Sequence, residues 1–235
     1  MELTVEGPNP GEFRWTIGVD ESDGSLQERL AAALDDREAG DGVQLWIRPV
    51  DDRAHAVATD LGFVAYRDLW QLRCDLPARP SGLPTRAFDP DNGHDLDDFV
   101  RVNNRAFHWH PEQGGLTAEA ALATMQEPWF DPDGFRLYHA RGSDGADELA
   151  GFCWTKVHSD HDPPLGEIYV IAVDPGHHGQ GLGKPMTLAG LEWLADRGLR
   201  HGMLYVESDN DPANATYAAL GFTRHHTDRA YRLDR

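Results

Sequence analysis

The chain has 235 residues, with 40 acidic side chains against 21 basic ones and a formal net charge of -19. That balance argues against nucleic acid or an anionic membrane as its main partner and fits an acidic, well-solvated surface. No window approaches the roughly 20 apolar residues of a membrane span, no basic-then-apolar leader opens the chain, and Cys74 and Cys153 are too few for a disulfide framework, so a reduced, cytoplasmic protein is expected.

In chain order, residues 1–12 are polar and proline-rich and read as a frayed start. Residues 13–19 have strand character. Between 26 and 37, Leu26, Leu30, Ala33 and Leu34 share one helical face, and Gly40 ends the run. A buried strand at 43–47, a short helix at 54–61 and strand material from 63 to 76 follow. The stretch PARPSGLP, residues 77–84, is the clearest linker, so one domain is placed over 1–76 and another over 85–235. The second domain begins with a short strand at 85–88. Leu96, Phe99, Val100, Val102, Asn103 and Phe107 then mark an amphipathic helix, and Thr117 is placed to cap a helix over 118–126. Residues 135–140 and 149–157 read as an antiparallel pair around a polar loop.

The stretch 166–184, GEIYVIAVDPGHHGQGLGK, organises the rest. Ile168–Val173 is a buried strand by its run of apolar and β-branched residues. Asp174-Pro175-Gly176 stops it, and Gly179, Gly181 and Gly183 lead into a helix over 186–197. Strand, glycine-rich turn and helix together aim free backbone N–H groups and the positive end of a helix dipole at a phosphate. The paired histidines lack the i, i+4 or C-x-x-C spacing of a metal site, and no metal is assigned.

Glu167 at the head of that strand, then Leu204–Asn210, a helix carrying Tyr217, and Leu220-Gly221-Phe222 complete an order that resembles the Gcn5-related N-acetyltransferase (GNAT) superfamily. The blocks 110–115 (HPEQGG), 129–134 (WFDPDG), 154–158 (WTKVH) and 205–210 (YVESDN) are similar to the C-terminal domain of the mycothiol synthase family, over roughly 86–233. The resemblance implies an α/β GNAT fold, with a mixed, mostly antiparallel sheet flanked by helices. It implies acetyl-CoA as co-substrate and the cysteinyl amine of desacetylmycothiol, a cysteine–glucosamine–inositol conjugate, as acceptor. A monomer working on a small molecule is expected.

Four tasks then fall to named residues. The pyrophosphate belongs to the turn His178, Gly179, Gln180, Gly181, Leu182, Gly183 and Lys184, where glycines let the backbone come close. Relatives carry more basic charge in this turn, and Lys184 is expected to restore part of it. Ile171, Ala172 and Val173 offer backbone groups to the pantetheine arm and thioester if their strand splays, and Asn210, Asn214 and Ala215 match coenzyme A contacts. Glu167 is the general base and Tyr217 the general acid toward the departing sulfur. Glu112, Lys156, Glu167 and Tyr205 match the acceptor positions. On position alone Glu167 would pass for a hydrated strand-edge residue, Tyr217 for a core tyrosine and Lys156 for a solvated strand end; the resemblance assigns their roles.

An internal repeat points to a second, partial domain of the same type. Leu45-Trp46-Ile47 precedes Leu61-Gly62-Phe63 by 16 residues, the interval that separates Leu204-Tyr205-Val206 from Leu220-Gly221-Phe222. At that offset Ala58 falls opposite Tyr217, Asp51 opposite Asn210, and the acidic residues 20–25 opposite the glycine turn, so this domain is read as non-catalytic. Strands of the fold expected before residue 13 are missing, as is an early acidic acceptor contact of the family; a shortened domain, or a start assigned too late, is expected. Two other readings stand beside the leading one: acetyl transfer to a different small amine, and a truncated acyl-CoA-binding protein without catalysis.

Overall fold

The computed structural model describes residues 4–9, 12–18, 42–109, 113–142 and 145–233, with Gln27, Glu28, Leu30, Ala31 and Leu34. Those isolated residues are helical, and Leu30 and Leu34 are buried; the rest of the helix expected at 26–37, the acidic stretch 20–25 and Glu112 lie outside the described residues. The chain forms two compact units, one from 1–72, 205–214 and 224–235, the other from 73–204 and 215–223.

In the first unit the strands run β1 (Thr4–Asn9), β2 (Glu12–Gly18), β3 (Gly42–Arg48), β4 (Val64–Asp75, up to Leu72 here) and β10 (Thr223–Leu233, from Arg224 here), in the order β1-β2-β3-β10-β4. The segment read as a frayed start is therefore a strand over 4–9, paired antiparallel with β2. A short polar strand at the rim of a sheet carries little of the alternation that marks half-buried strands, which is why its sequence looks like a loop. Strand β2 pairs parallel with β3, and β10 pairs antiparallel with it, Val43 opposite Leu233 and Ile47 opposite Arg229. Helix α1 (Asp52–Asp60) is capped by Asp51, whose Oδ1 accepts from Ala54 N at 2.7 Å. Its buried face, Ala54 and Ala58, packs with Leu45, Ile47, Phe63 and Tyr231.

The second unit orders its strands as β4, β9 (His201–Glu207, up to Leu204 here), β8 (Leu165–Val173), β7 (Asp147–His158), β6 (Phe135–Arg141) and β5 (Arg86–Ala87). Pairing from β5 to β8 is antiparallel, and β8 with β9 is parallel, so the sheet is mixed. One face carries α2 (Gly93–Ala106) and α3 (Ala118–Met125) over an aromatic core. There Phe135 stacks on Phe88 and Trp154, both at 4.8 Å between centroids, and Phe99 meets its edge at 5.0 Å. Thr117 does cap α3, accepting from Ala120 N at 3.1 Å. At the start of α2 the buried Asp95 is clasped by Arg86 through two bonds of 2.5 and 2.6 Å. Helix α4 (Gly183–Asp196) packs on β7 and β8, with Met186, Leu191 and Leu194 fully buried. It comes so close that a Cβ on Gly190 would stand 2.5 Å from Cys153 Sγ. Among the described residues no helix is long and apolar enough to cross a membrane.

Candidate active site

Strand β8 carries an irregularity that the apolar run conceals. Trp154 pairs with Val170 and Thr155 with Ile168, leaving Tyr169 as one extra residue on β8, a β-bulge. On its other side, β8 pairs with β9 only over Gly166–Ile168 against Gly202–Leu204. From Tyr169 to Val173 the strand keeps its pairing with β7.

Glu167 lies just before the bulge. It is not a hydrated edge residue but is buried, 7% exposed, because β7 and β9 flank it. Lys156 is its cross-strand partner, so these two expected site residues are brought together. The Lys156 ammonium sits over two aromatic rings, 4.6 Å from the centroid of Trp129 and 5.7 Å from that of Tyr169. One oxygen of Glu167 is taken: His158 Nε2 lies 2.6 Å from Oε2. Neither this histidine nor the Trp129–Tyr169 box was assigned a role in the sequence reading. The available signal was alternation, since Lys156 and His158 must share a face on β7, but only the register places that face against Glu167.

Beyond β8 the turn is held from below. Asp174, buried, accepts from Gly176 N at 2.8 Å and from Arg105 and Arg101 of α2 at 3.2 and 3.5 Å. His177, also buried, donates to Glu148 Oε1 at 2.9 Å and accepts from Gln180 Nε2 at 3.4 Å. His178 turns back and donates to Val173 O at 3.0 Å. Gly179 and Gly181 have φ of +79° and +74°, and nothing lies within 4 Å of where a Cβ would be at either. Helix α4 then begins with no side-chain cap at Leu182, leaving its first N–H groups for an anion, with the exposed Lys184 in the first turn. An open left-handed turn feeding an uncapped helix fits a pyrophosphate.

Tyr217 stands on α5 (Asp211–Ala218), whose residues from Ala215 belong to this unit; Ala215 is exposed. The Tyr217 ring is buried with its edge on Phe222, 5.7 Å away, and its hydroxyl makes no hydrogen bond among the described residues. Burial, with the Cys153 thiol nearby, pushes its pKa well above the ordinary value, so the phenol stays protonated. Tyr205, Asn210 and Asn214 belong to the first unit. There Tyr205 Oη accepts from Gln71 Nε2 at 2.8 Å, Asn210 Oδ1 accepts from Ala213 N at 3.3 Å at the head of α5, and Asn214 Nδ2 donates to Glu207 O and Ser208 O at 3.1 and 3.2 Å. His158, Asp160 and His161 bring possible ligand atoms within 4.8 Å of one another. With His158 Nε2 committed to Glu167 and the other two side chains exposed, they make no built site, and no metal role is assigned to them.

Comparison with known proteins agrees with this geometry. The acetyltransferase (GNAT) family model matches residues 98–222. The mycothiol acetyltransferase of Actinosynnema mirum is 44% identical over 238 residues, covering 99% of this chain and 74% of that one. That of Pseudarthrobacter chlorophenolicus is 44% identical over 215 residues, 88% of this chain and 65% of that one. The chain thus spans between 65% and 74% of the length of these two relatives. Among solved structures, a GCN5-related N-acetyltransferase from Sphaerobacter thermophilus superposes with a TM-score of 0.70 at 21% identity, covering 98% of this chain and 75% of that one, and so shares the fold. The family model over 98–222 and the 44% identity to these relatives mark an acetyltransferase, and the chain belongs to the mycothiol acetyltransferase family of the GNAT superfamily.

Proposed function

We propose that this chain transfers the acetyl group of acetyl-CoA to the cysteinyl amine of desacetylmycothiol, giving mycothiol. The observation that carries the reading is the pairing of the buried Glu167 with Lys156, just before the β-bulge at Tyr169. The turn 178–184 and the first N–H groups of α4 hold the pyrophosphate, and the backbone of Ile171–Val173 receives the pantetheine arm and donates to the thioester oxygen. Coenzyme A contacts also come from Asn210, Asn214 and Ala215. Glu167 takes a proton from the acceptor's ammonium, and the freed amine attacks the thioester carbon. As the C–S bond breaks, the Tyr217 hydroxyl gives its proton to the departing thiolate, and the second proton that the nitrogen sheds in becoming an amide restores the phenol. Lys156, in its aromatic box, faces the hydroxyl-rich part of the acceptor, with Glu112 and Tyr205 as further contacts. The domain limits follow the same reading: 85–235 carries the reaction, 77–84 connects, and 1–76 is a non-catalytic, GNAT-like partner.

A thiol-release assay with acetyl-CoA tests this, offering desacetylmycothiol beside cysteine and glucosamine. Turnover confined to the conjugate supports the assignment. Turnover on the simple amines alone would replace the acceptor while keeping the chemistry, and binding of acetyl-CoA without turnover on any of them would refute catalysis.

A further inference from the structure

His158 has no part in the mechanism above, yet it makes the shortest contact to its central carboxylate. It lies at the end of β7 opposite Leu165, two residues from Glu167 on the same face of the sheet, so the two side chains are diagonal neighbours. Their atoms His158 Nε2 and Glu167 Oε2 are 2.6 Å apart, with side-chain exposures of 20% and 10%. We propose that His158 is the positioning residue of the general base, fixing Glu167 so that Oε1 alone faces the acceptor's ammonium. The inference rests on Glu167 being that base.

The chemistry follows from which proton sits between the two groups. In the neutral imidazole, Nε2–H donates to Oε2; the other tautomer would set a ring lone pair against a carboxylate lone pair at the same distance. That bond satisfies one oxygen, fixes the rotation of the carboxylate plane and leaves the second oxygen as the proton acceptor. The dyad thus leaves no buried carboxylate oxygen on this side without a donor. The groups this unit presents to it are Lys156, across from Glu167, Tyr169 on β8, and Asp160 and His161 in the following loop; the His161 ring stands edge-on, 5.8 Å from that of His158.

The test compares His158→Gln, whose amide keeps an N–H donor at the place of Nε2 but does not titrate, with His158→Leu, which has no donor. Steady-state kcat and KM are measured from pH 5.5 to 9 with acetyl-CoA and whichever of the three amines the wild type acetylates, with Glu167→Gln run alongside. Calorimetric acetyl-CoA binding, which needs no acceptor, checks that each variant is folded. His158→Leu should lower kcat about 10- to 100-fold with acetyl-CoA affinity unchanged, as expected for a misaligned base. His158→Gln should recover most of kcat at pH 8, because its amide N–H restores a donor to Oε2. A kcat in His158→Gln no better than in His158→Leu, or an undiminished kcat in a folded His158→Leu, overturns the proposal. Full activity in Glu167→Gln would instead remove the base assignment on which it rests.

Discussion

Replacing Gly190 by alanine should destabilise the second unit although alanine is the better helix former. Gly190 sits in the buried face of α4, where an added Cβ would meet Cys153 Sγ at 2.5 Å, Ile168 Cδ1 at 2.6 Å and Thr155 Cγ2 at 3.2 Å. Cys153 and Ile168 are themselves fully enclosed on β7 and β8, so neither can swing away. Forcing a methyl group into such a core costs about 1–3 kcal/mol, while removing glycine from a helix interior returns up to about 1 kcal/mol. A net loss of about 1–2 kcal/mol is expected, a fall in melting temperature of roughly 2–8 °C for a chain of this size. Activity should fall further than stability, since Ile168 follows Glu167 and Thr155 precedes Lys156; displacing them by a fraction of an ångström tilts the base and the acceptor contact together. Urea denaturation followed by tryptophan fluorescence gives the first number, and kcat at a temperature where the variant is folded gives the second. Cys153→Ala in the same background should recover part of the loss, and the double-mutant cycle should show favourable coupling. If Gly190→Ala is as stable as wild type or more so, the close approach of α4 to the sheet is wrong and so is the explanation for glycine there.

Tyr217→Phe should lower kcat about 10- to 100-fold while leaving KM for acetyl-CoA within about twofold, because the ring still fills its place on Phe222 and only the proton donor is lost; steady-state kinetics separates the two parameters. Gly181→Asp should weaken acetyl-CoA binding more than 100-fold by calorimetry, since it strains a residue at φ +74° and sets a carboxylate in the turn that is to hold a pyrophosphate. Burial pushes the thiols of Cys74 and Cys153 from 9.0 up to about 12. Because the folded values lie above the unfolded ones, their contribution to stability is complete below pH 9 and is lost as pH rises toward 12. Melting temperature should therefore drop between pH 9 and 11, less steeply in Cys74→Ala/Cys153→Ala, and a thiol reagent at pH 8 should label neither cysteine before the protein unfolds.

Local signals in the chain carried further than long-range ones. The cap at Thr117, the strand–turn–helix at 166–197 and the amphipathic helix around Phe99 each depend on neighbours a few residues apart, and each element is present with ends shifted by a few residues. The first strand was missed because TVEGPN lacks an alternating apolar pattern and ends in the turn-forming Gly7, Pro8 and Asn9, and its pairing comes from β2. The bulge at Tyr169 is invisible in an apolar run, since the extra residue appears only when the strand is set against β7. That one-residue shift also fixes the register, and with it the meeting of His158 and Glu167. Roles for Glu167 and Tyr217 came from resemblance rather than periodicity, because a buried carboxylate and a buried phenol look like any strand glutamate and helix tyrosine until their surroundings are assembled.

The place of β10 governs when the first unit can exist during synthesis. This strand lies between β3 and β4, and Arg229 clasps Asp68 of β4 through bonds of 2.6 and 2.8 Å. A ribosome delivers β3 and β4 early but this strand only after the whole second unit has emerged. Until then the two earlier strands carry unpaired backbone edges side by side, a surface prone to pairing with the wrong partner. Completion of this sheet is gated by the arrival of β10. An insertion beside β10 therefore acts on the interior of a sheet rather than on its rim.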